Sequence, residues 1–195
     1  MNKVKQNNYP TRFNECFSFD ESEFNPTPKS WLGKLWRIRY VSRYSSTTWM
    51  RLSQYFCIKS QCRSKIKRVM YGNLSQYYRR KNEILNGLSC ARNPQIKPGI
   101  KFHHRNVIIT EETIIEEGVH IYGNVTFGSK NGCAPIVKKN AKIAGNSMII
   151  GKVTVGEGAI VAPGAIVLID VPSKKIAAGV PAKIVGDVTD DNYDF

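Results

Sequence analysis

Three histidines carry the most versatile chemistry in this chain of 195 residues: His103, His104 and His120. An imidazole titrates near neutral pH, so it can take a proton from a hydroxyl or ligate a metal under mild conditions. Two of the three are adjacent, in the run Phe102-His103-His104-Arg105-Asn106. A catalytic zinc needs three protein ligands around a tetrahedron, and three histidines of which two are chain neighbours close such a site poorly, so no metal is expected. Cys16, Cys57, Cys62, Cys90 and Cys133 are odd in number and include no CxxC pair. They read as reduced thiols, neither a disulfide framework nor a zinc site.

The element that must position these groups is a ladder. Through residues 109–171 a branched or aromatic apolar residue returns every sixth position: Ile109, Ile115, Ile121 and Phe127, then after an interruption Val137, Ile143, Ile149, Val155, Val161 and Val167. The fourth residue after each rung forms a second, smaller column: Thr113, Val119, Val125, Ala141, Ser147, Val153, Ala159, Ala165 and Val171. A period of six with β-branched rungs predicts a parallel β-helix whose coil has three flat sides, roughly eighteen residues per coil. Gly118, Gly123, Gly145, Gly151, Gly158 and Gly164, with Asn124, Asn140 and Asn146, supply residue types that tolerate tight corners. Strands of an ordinary sandwich alternate with period two and have no reason to hold a six-residue phase.

The ladder has two breaks. Its first coil, Ile96-Lys97-Pro98-Gly99-Ile100-Lys101-Phe102, is imperfect, and the phase slips by one residue between Phe102 and Ile109, where the two histidines lie. A slip re-aims side chains, as a bulge does in a sheet. The second break is the segment 129–135, SKNGCAP, which must leave the coil as a loop.

The expected organisation is a basic, mostly helical segment over 1–88, the β-helix over 89–186 and an acidic tail over 187–195. Residues 1–88 hold 17 Lys+Arg against 5 Asp+Glu, and residues 89–195 hold 12 against 10. Helices are expected from Ser30 through SWLGKLWRIRYVSRY, over 48–58 and over 65–85, the last with the run YYRRK. Such a segment can cap the open end of the solenoid or join subunits. It can also dock on an acidic membrane surface or an anionic glycan, since basic clusters with Trp and Tyr suit both. No recognition motif points to nucleic acid. With no secretory leader and no apolar run of membrane-spanning length, the chain is expected in the cytoplasm, either free or peripheral at the inner membrane face.

The residues from 96 to 186, about half the chain, resemble the hexapeptide-repeat acyltransferases, within them the serine O-acetyltransferase-like branch. The resemblance rests on Phe102-His103-His104 before Val107-Ile108-Ile109, on Glu112-Thr113, on Val125-Thr126-Phe127-Gly128, on the NGCAP loop, and on Asp170-Val171-Pro172 with Ala178-Gly179-Val180-Pro181-Ala182-Lys183-Ile184-Val185-Gly186. It implies a left-handed parallel β-helix, a homotrimer, and transfer of acetyl from acetyl-CoA to an acceptor hydroxyl. It implies His104 as the general base, acting by direct attack of the acceptor on the thioester. His103 is then expected to line the acceptor site with Glu112, His120 and Tyr122. His120 faces either a neighbouring chain's acceptor pocket or solvent, and the base is oriented by Glu112, a backbone carbonyl or a neighbouring subunit's group. For coenzyme A, held mainly by backbone groups at small residues, the matching positions are Ala144, Gly145, Ala162 and Gly164, with Lys183 meeting a phosphate.

Departures from that pattern bear on the acceptor. Serine acetyltransferases have Asp where this chain has His103, an Arg-His pair where it has Cys133 and Ala134, and an Asp in the first coil where it has Ser89. These losses remove the groups expected to bind the serine carboxylate and ammonium and, at Ser89, one partner of the base. The short loop resembles that of polysaccharide and glycoconjugate enzymes of the family, so a sugar hydroxyl of a capsular or other surface polysaccharide is the expected acceptor. Serine or another small molecule, and a non-catalytic trimeric scaffold, are the alternatives. A zinc hydratase on the same fold needs three histidine ligands, and with His103 and His104 adjacent that closure is not expected.

Overall fold

The computed structural model describes residues 42–91 and 94–189; the expected helix from Ser30 and the acidic end of the tail fall outside them. Among the described residues two helices lead, α1 (Ser42–Lys59) and α2 (Lys65–Asn86), and short strands follow. One face of the solenoid stacks β1 (Leu88–Cys90), β4 (Val107–Ile109), β7 (Val125–Gly128), β10 (Met148–Ile150) and β13 (Ile166–Val167). A second stacks β2 (Gln95–Ile96), β5 (Ile114–Ile115), β8 (Ile136–Val137) and β11 (Thr154–Val155). The third stacks β3 (Lys101–Phe102), β6 (His120–Ile121), β9 (Lys142–Ile143), β12 (Ile160–Val161), β14 (Lys175–Gly179) and β15 (Ala182–Asp187). All neighbours run parallel except β14 and β15, which close the third face as an antiparallel pair.

The two columns read from the sequence are the core. Every rung from Ile109 to Val167 and every residue of the smaller column is buried. Two polar members of that column are partnered: the Ser147 hydroxyl donates to the Ala144 carbonyl at 2.7 Å, and Thr113 Oγ1 lies 3.4 Å from Thr110 Oγ1. Val107 pairs with Val125 and Met148 with Ile166, an advance of 18 residues in each case. From Leu88 to Val107 the advance is 19, which is the phase slip, and from Thr126 to Met148 it is 22, which is the loop. The solenoid therefore begins at Leu88, one strand ahead of the Ile96 start that the hexad suggests. Leu88 and Cys90 turn inward there before an irregular corner hides the period.

The helices cap the first coil. Gly87, at φ 66°, ends α2 and donates its N–H to Glu83 O at 2.9 Å, which lets the chain turn straight into β1. Arg51 of α1 is almost wholly buried, and its guanidinium donates to the carbonyls of Ile96 and Lys97, both at 2.7 Å. Between the helices Trp49 stacks on Tyr78, and Phe56 stacks on Tyr78 and Tyr71.

Candidate active site

The corner between the third and first faces carries the adjacent histidines. β3, β6, β9, β12 and β14 lie in register, so the residues that follow each strand stack on one another. His103 sits in line with Tyr122, Ala144, Ala162 and Ala178, each joined to the next coil by a backbone hydrogen bond of 2.8–3.0 Å. Ala178 pairs across the antiparallel closure with Lys183. At roughly 4.8 Å per strand, five steps put Lys183 about 24 Å from the His103 backbone along one edge.

Beside that line runs a second: His104, then Gly123, then Gly145. A Cβ on Gly123 would lie 2.9 Å from His104 Cβ and 3.3 Å from Arg105 O. Only glycine leaves room for the histidine corner to rest on the coil above it. On Gly145 a Cβ would come within 3.3 Å of Gly123 O, so this edge is bare backbone. A third line is an asparagine ladder. Asn106, Asn124 and Asn146 have φ of 64°, 57° and 61°, and each of the first two donates its side-chain amide to the next, at 3.1 and 3.0 Å.

His103 is half-buried and held from two sides. Its Nε2 lies 3.2 Å from Nδ1 of His120, and its ring stacks on Tyr122 with centroids 4.4 Å apart and planes 7° from parallel. His104 is exposed at the turn, its ring 6.3 Å from that of Tyr122. The structure thus brings together His103, His104, His120 and Tyr122, and lines Ala144, Gly145, Ala162, Gly164 and Lys183 along the edge that leaves them. It does not bring Glu112 to them within one chain. Glu112, at φ 65°, heads the next corner of the coil, with β4 between it and His104.

The second break of the ladder lies on that other corner. Lys130 and Cys133 exchange backbone hydrogen bonds of 2.9 and 3.0 Å around Asn131 and Gly132, both with positive φ. This is a two-residue hairpin turn of the kind Asn-Gly favours, so the loop is short and fixed. The Asn-Gly pair was the signal for it, as the repeated Asn at corner positions was for the amide ladder. Among the described residues no three His, Cys, Asp or Glu side chains gather into a metal-binding group.

No family model matches the chain. Among curated relatives it is 43% identical over 90 residues to a protein of Schizosaccharomyces pombe described as a putative serine acetyltransferase, covering 44% of this chain and 33% of that one. It is 30% identical over 177 residues to serine acetyltransferase of Buchnera aphidicola subsp. Schizaphis graminum, covering 88% of this chain and 63% of that one. To the Escherichia coli K12 serine acetyltransferase it is 38% identical over 102 residues, half of this chain and 37% of that one. The chain therefore spans from about a third to just under two thirds of the length of these relatives. Among solved structures, serine acetyltransferase from Brucella abortus strain S19 superposes with a TM-score of 0.72 at 20% identity, covering 90% of this chain and 69% of that one. A serine acetyltransferase in complex with CoA gives 0.69 at 24% identity, over 89% and 69%. At these identities the structures speak for the fold, a parallel β-helix led by helices.

Proposed function

We propose that this chain, a hexapeptide-repeat β-helix similar in sequence to serine acetyltransferases, transfers acetyl from acetyl-CoA to an acceptor hydroxyl and works as a homotrimer. The observation that carries the reading is the shared edge. One corner of the solenoid holds the adjacent histidines, and the small-residue edge that leaves it ends at Lys183. A slim pantetheine arm needs close approach to backbone, and Ala144, Gly145 and Ala162 give it. A lysine at the far end suits a phosphate.

His104 is the general base in this reading. It is exposed at the corner, while His103 is engaged by His120 and Tyr122 and so lines the acceptor pocket. The base takes the hydroxyl proton as the acceptor oxygen attacks the thioester carbon, and returns it to the departing sulfur, so that acetyl ester and free thiol are the products. Holding the two substrates against each other along one rigid edge supplies much of the acceleration. Glu112 acts, if at all, from a neighbouring chain.

Serine is the acceptor to test first, because the relatives named above carry that activity in their names. A sugar hydroxyl is the second reading. What favours it is the local chemistry: His103, Cys133 and Ala134 stand where an Asp and an Arg-His pair are expected, and Ser89 where an Asp is expected to orient the base. The test is release of free thiol from acetyl-CoA by the full chain with L-serine and, separately, with surface glycans. Acceleration by L-serine that His104→Ala abolishes supports the first reading. Acceleration by glycan alone moves the acceptor to a sugar, and equal slow release by wild type and His104→Ala with every acceptor overturns the catalytic reading.

A further inference from the structure

The outer face of α2 is built opposite to that of an ordinary packed helix. Towards α1 it presents Tyr71 and Tyr78, stacked on Phe56 and Trp49, together with polar groups: Ser75 donates to Ser53 O at 2.8 Å and Asn82 to Ser46 O at 2.9 Å, while Asn86 donates to Asn82 Oδ1 within α2 at 2.8 Å. Away from α1 it presents Ile66, Val69, Met70, Tyr77 and Ile84, all exposed, with Ile66 at 83% and Ile84 at 82%. At 100° per residue these five fall within a sector roughly 100° wide, over a helix about 33 Å long. A stripe of large apolar side chains of that length is uncommon on a surface that meets only water.

The charges around the stripe select what covers it. α2 carries Lys65, Lys67, Arg68, Arg79, Arg80 and Lys81 against Glu83 alone. Arg80 lies within the apolar sector, and Lys67 and Lys81 flank it. Lys81 also lies 4.7 Å over the Trp49 ring and 5.5 Å over that of Tyr77, so the aromatic and basic groups form one surface. A second copy of the same face would set this positive charge against itself. Residues 29–88 meet the same objection, holding 14 basic against 1 acidic residue, whereas residues 1–28 hold 3 against 4. The occupant must be apolar and negatively charged together.

We propose that α2 lies in the plane of an anionic lipid leaflet, with Ile66, Met70, Tyr77 and Ile84 entering the boundary between headgroups and acyl chains. Basic residues beside such a surface add an attraction that salt screens, and Tyr suits the wet edge of the apolar layer. The contact is peripheral: among the described residues no helix is long and apolar enough to cross a membrane. It also sets the orientation of the solenoid. α2 ends at Gly87, whose carbonyl accepts the Val107 N–H at 3.1 Å, and a Cβ on Gly87 would lie 2.3 Å from Asn106 Oδ1. The corner with His103 and His104 is therefore the one stacked on the end of the docked helix. The proposal stands apart from acetyl transfer, because none of these residues lies on the small-residue edge.

The experiment is co-sedimentation of the full chain with vesicles of phosphatidylcholine alone and of phosphatidylcholine with 30% phosphatidylglycerol. The expected result is binding to the anionic vesicles at least about tenfold tighter than to neutral ones, weakening as salt is raised. Ile66→Asp with Ile84→Asp should lose at least about tenfold while circular dichroism stays unchanged, since both side chains face solvent. Lys67→Gln with Arg80→Gln should lose the salt-sensitive part. Failure to bind anionic vesicles overturns the proposal, as does equal binding by the aspartate variant. So does a lower mass for that variant at sedimentation equilibrium without lipid, which would make the stripe a contact between copies.

Discussion

Nε2 of His103 and Nδ1 of His120 face each other at 3.2 Å, on successive coils of the same sheet. One hydrogen serves both nitrogens, so each ring fixes the other's orientation and tautomer. If the pair lines the acceptor pocket, His120→Ala should raise the acceptor KM about tenfold, the equivalent of one hydrogen bond of about 1.4 kcal/mol. The KM for acetyl-CoA and kcat should stay within about twofold. The double variant with His103→Ala should be little worse than the worse single one, because the two act as a unit. Strict additivity of the two losses would show that the pairing has no role in acceptor binding.

Gly123 makes a sharper prediction about the base. Its replacement by alanine places a Cβ 2.9 Å from that of His104, closer than real side chains approach, and neither atom is the end of a flexible chain. The histidine corner must move. The expected outcome is a loss of kcat of about a hundredfold, of the size a misplacement of about 1 Å brings, with unfolding free energy lowered by only about 1–2 kcal/mol. Gly158→Ala is the comparison, since a Cβ there meets only Lys174 Cγ at 3.7 Å, an ordinary contact, and only the positive φ opposes it. Steady-state kinetics beside urea unfolding separates the two effects.

That contrast shows what the sequence could and could not disclose. The rungs were legible because a six-residue period is enforced by burial, and Ile121 or Val155 cannot be polar without breaking a continuous column. The histidine corner was legible as a slip of phase, and the hairpin at Cys133 as an interruption. Gly123 and Gly145 read as corner residues, yet neither has positive φ; what they supply is space, and space depends on a residue 19 or 22 places away. Glu112 stood in the sequence as one of three candidates to orient His104, beside a backbone carbonyl and a neighbouring subunit's group. In the coil eight residues amount to a change of corner, so nearness along the chain and nearness in space part company. The anchoring of Arg51 and the outward apolar stripe of α2 are likewise facts of packing between elements.

Cys90 gives a prediction in pH. It lies inside the first coil, and burial pushes its thiol up to about 12 from an ordinary 9.0. The unfolded chain ionises this thiol from about pH 9, whereas the fold holds it neutral, so its contribution to stability is complete below pH 9 and is lost progressively between pH 9 and 12. Measured as wild type minus Cys90→Val, which cancels the titration of the lysines, the difference in unfolding free energy should be flat from pH 6 to 8.5 and then fall. The slope should approach about 1.4 kcal/mol per pH unit. At pH 8 a thiol reagent should modify half-exposed Cys62 and Cys133 and spare Cys90. A flat difference through pH 11, or early labelling of Cys90, would show that the thiol is open to water.

Arg51 tests how the helical cap is joined to the solenoid. Its guanidinium reaches two successive carbonyls, Ile96 O and Lys97 O, at 2.7 Å each, and a third bond of 3.0 Å goes to Gln54 on its own helix. Two carbonyls side by side suit a planar fork and suit a single ammonium poorly, so lysine is no substitute. Arg51→Lys should therefore cost about as much as Arg51→Met, roughly 3 kcal/mol, since each charged bond to a buried carbonyl contributes about 1.5 kcal/mol and the acceptors are left without a donor. The loss should be local first. Hydrogen exchange should accelerate in α1 and at β2, while amides of β9 and β12, four or more strands further along, keep their protection until global unfolding. If Arg51→Lys matches wild type, the guanidinium is only a charge near the coil, and the cap is held by the packing of α2 on β1 instead.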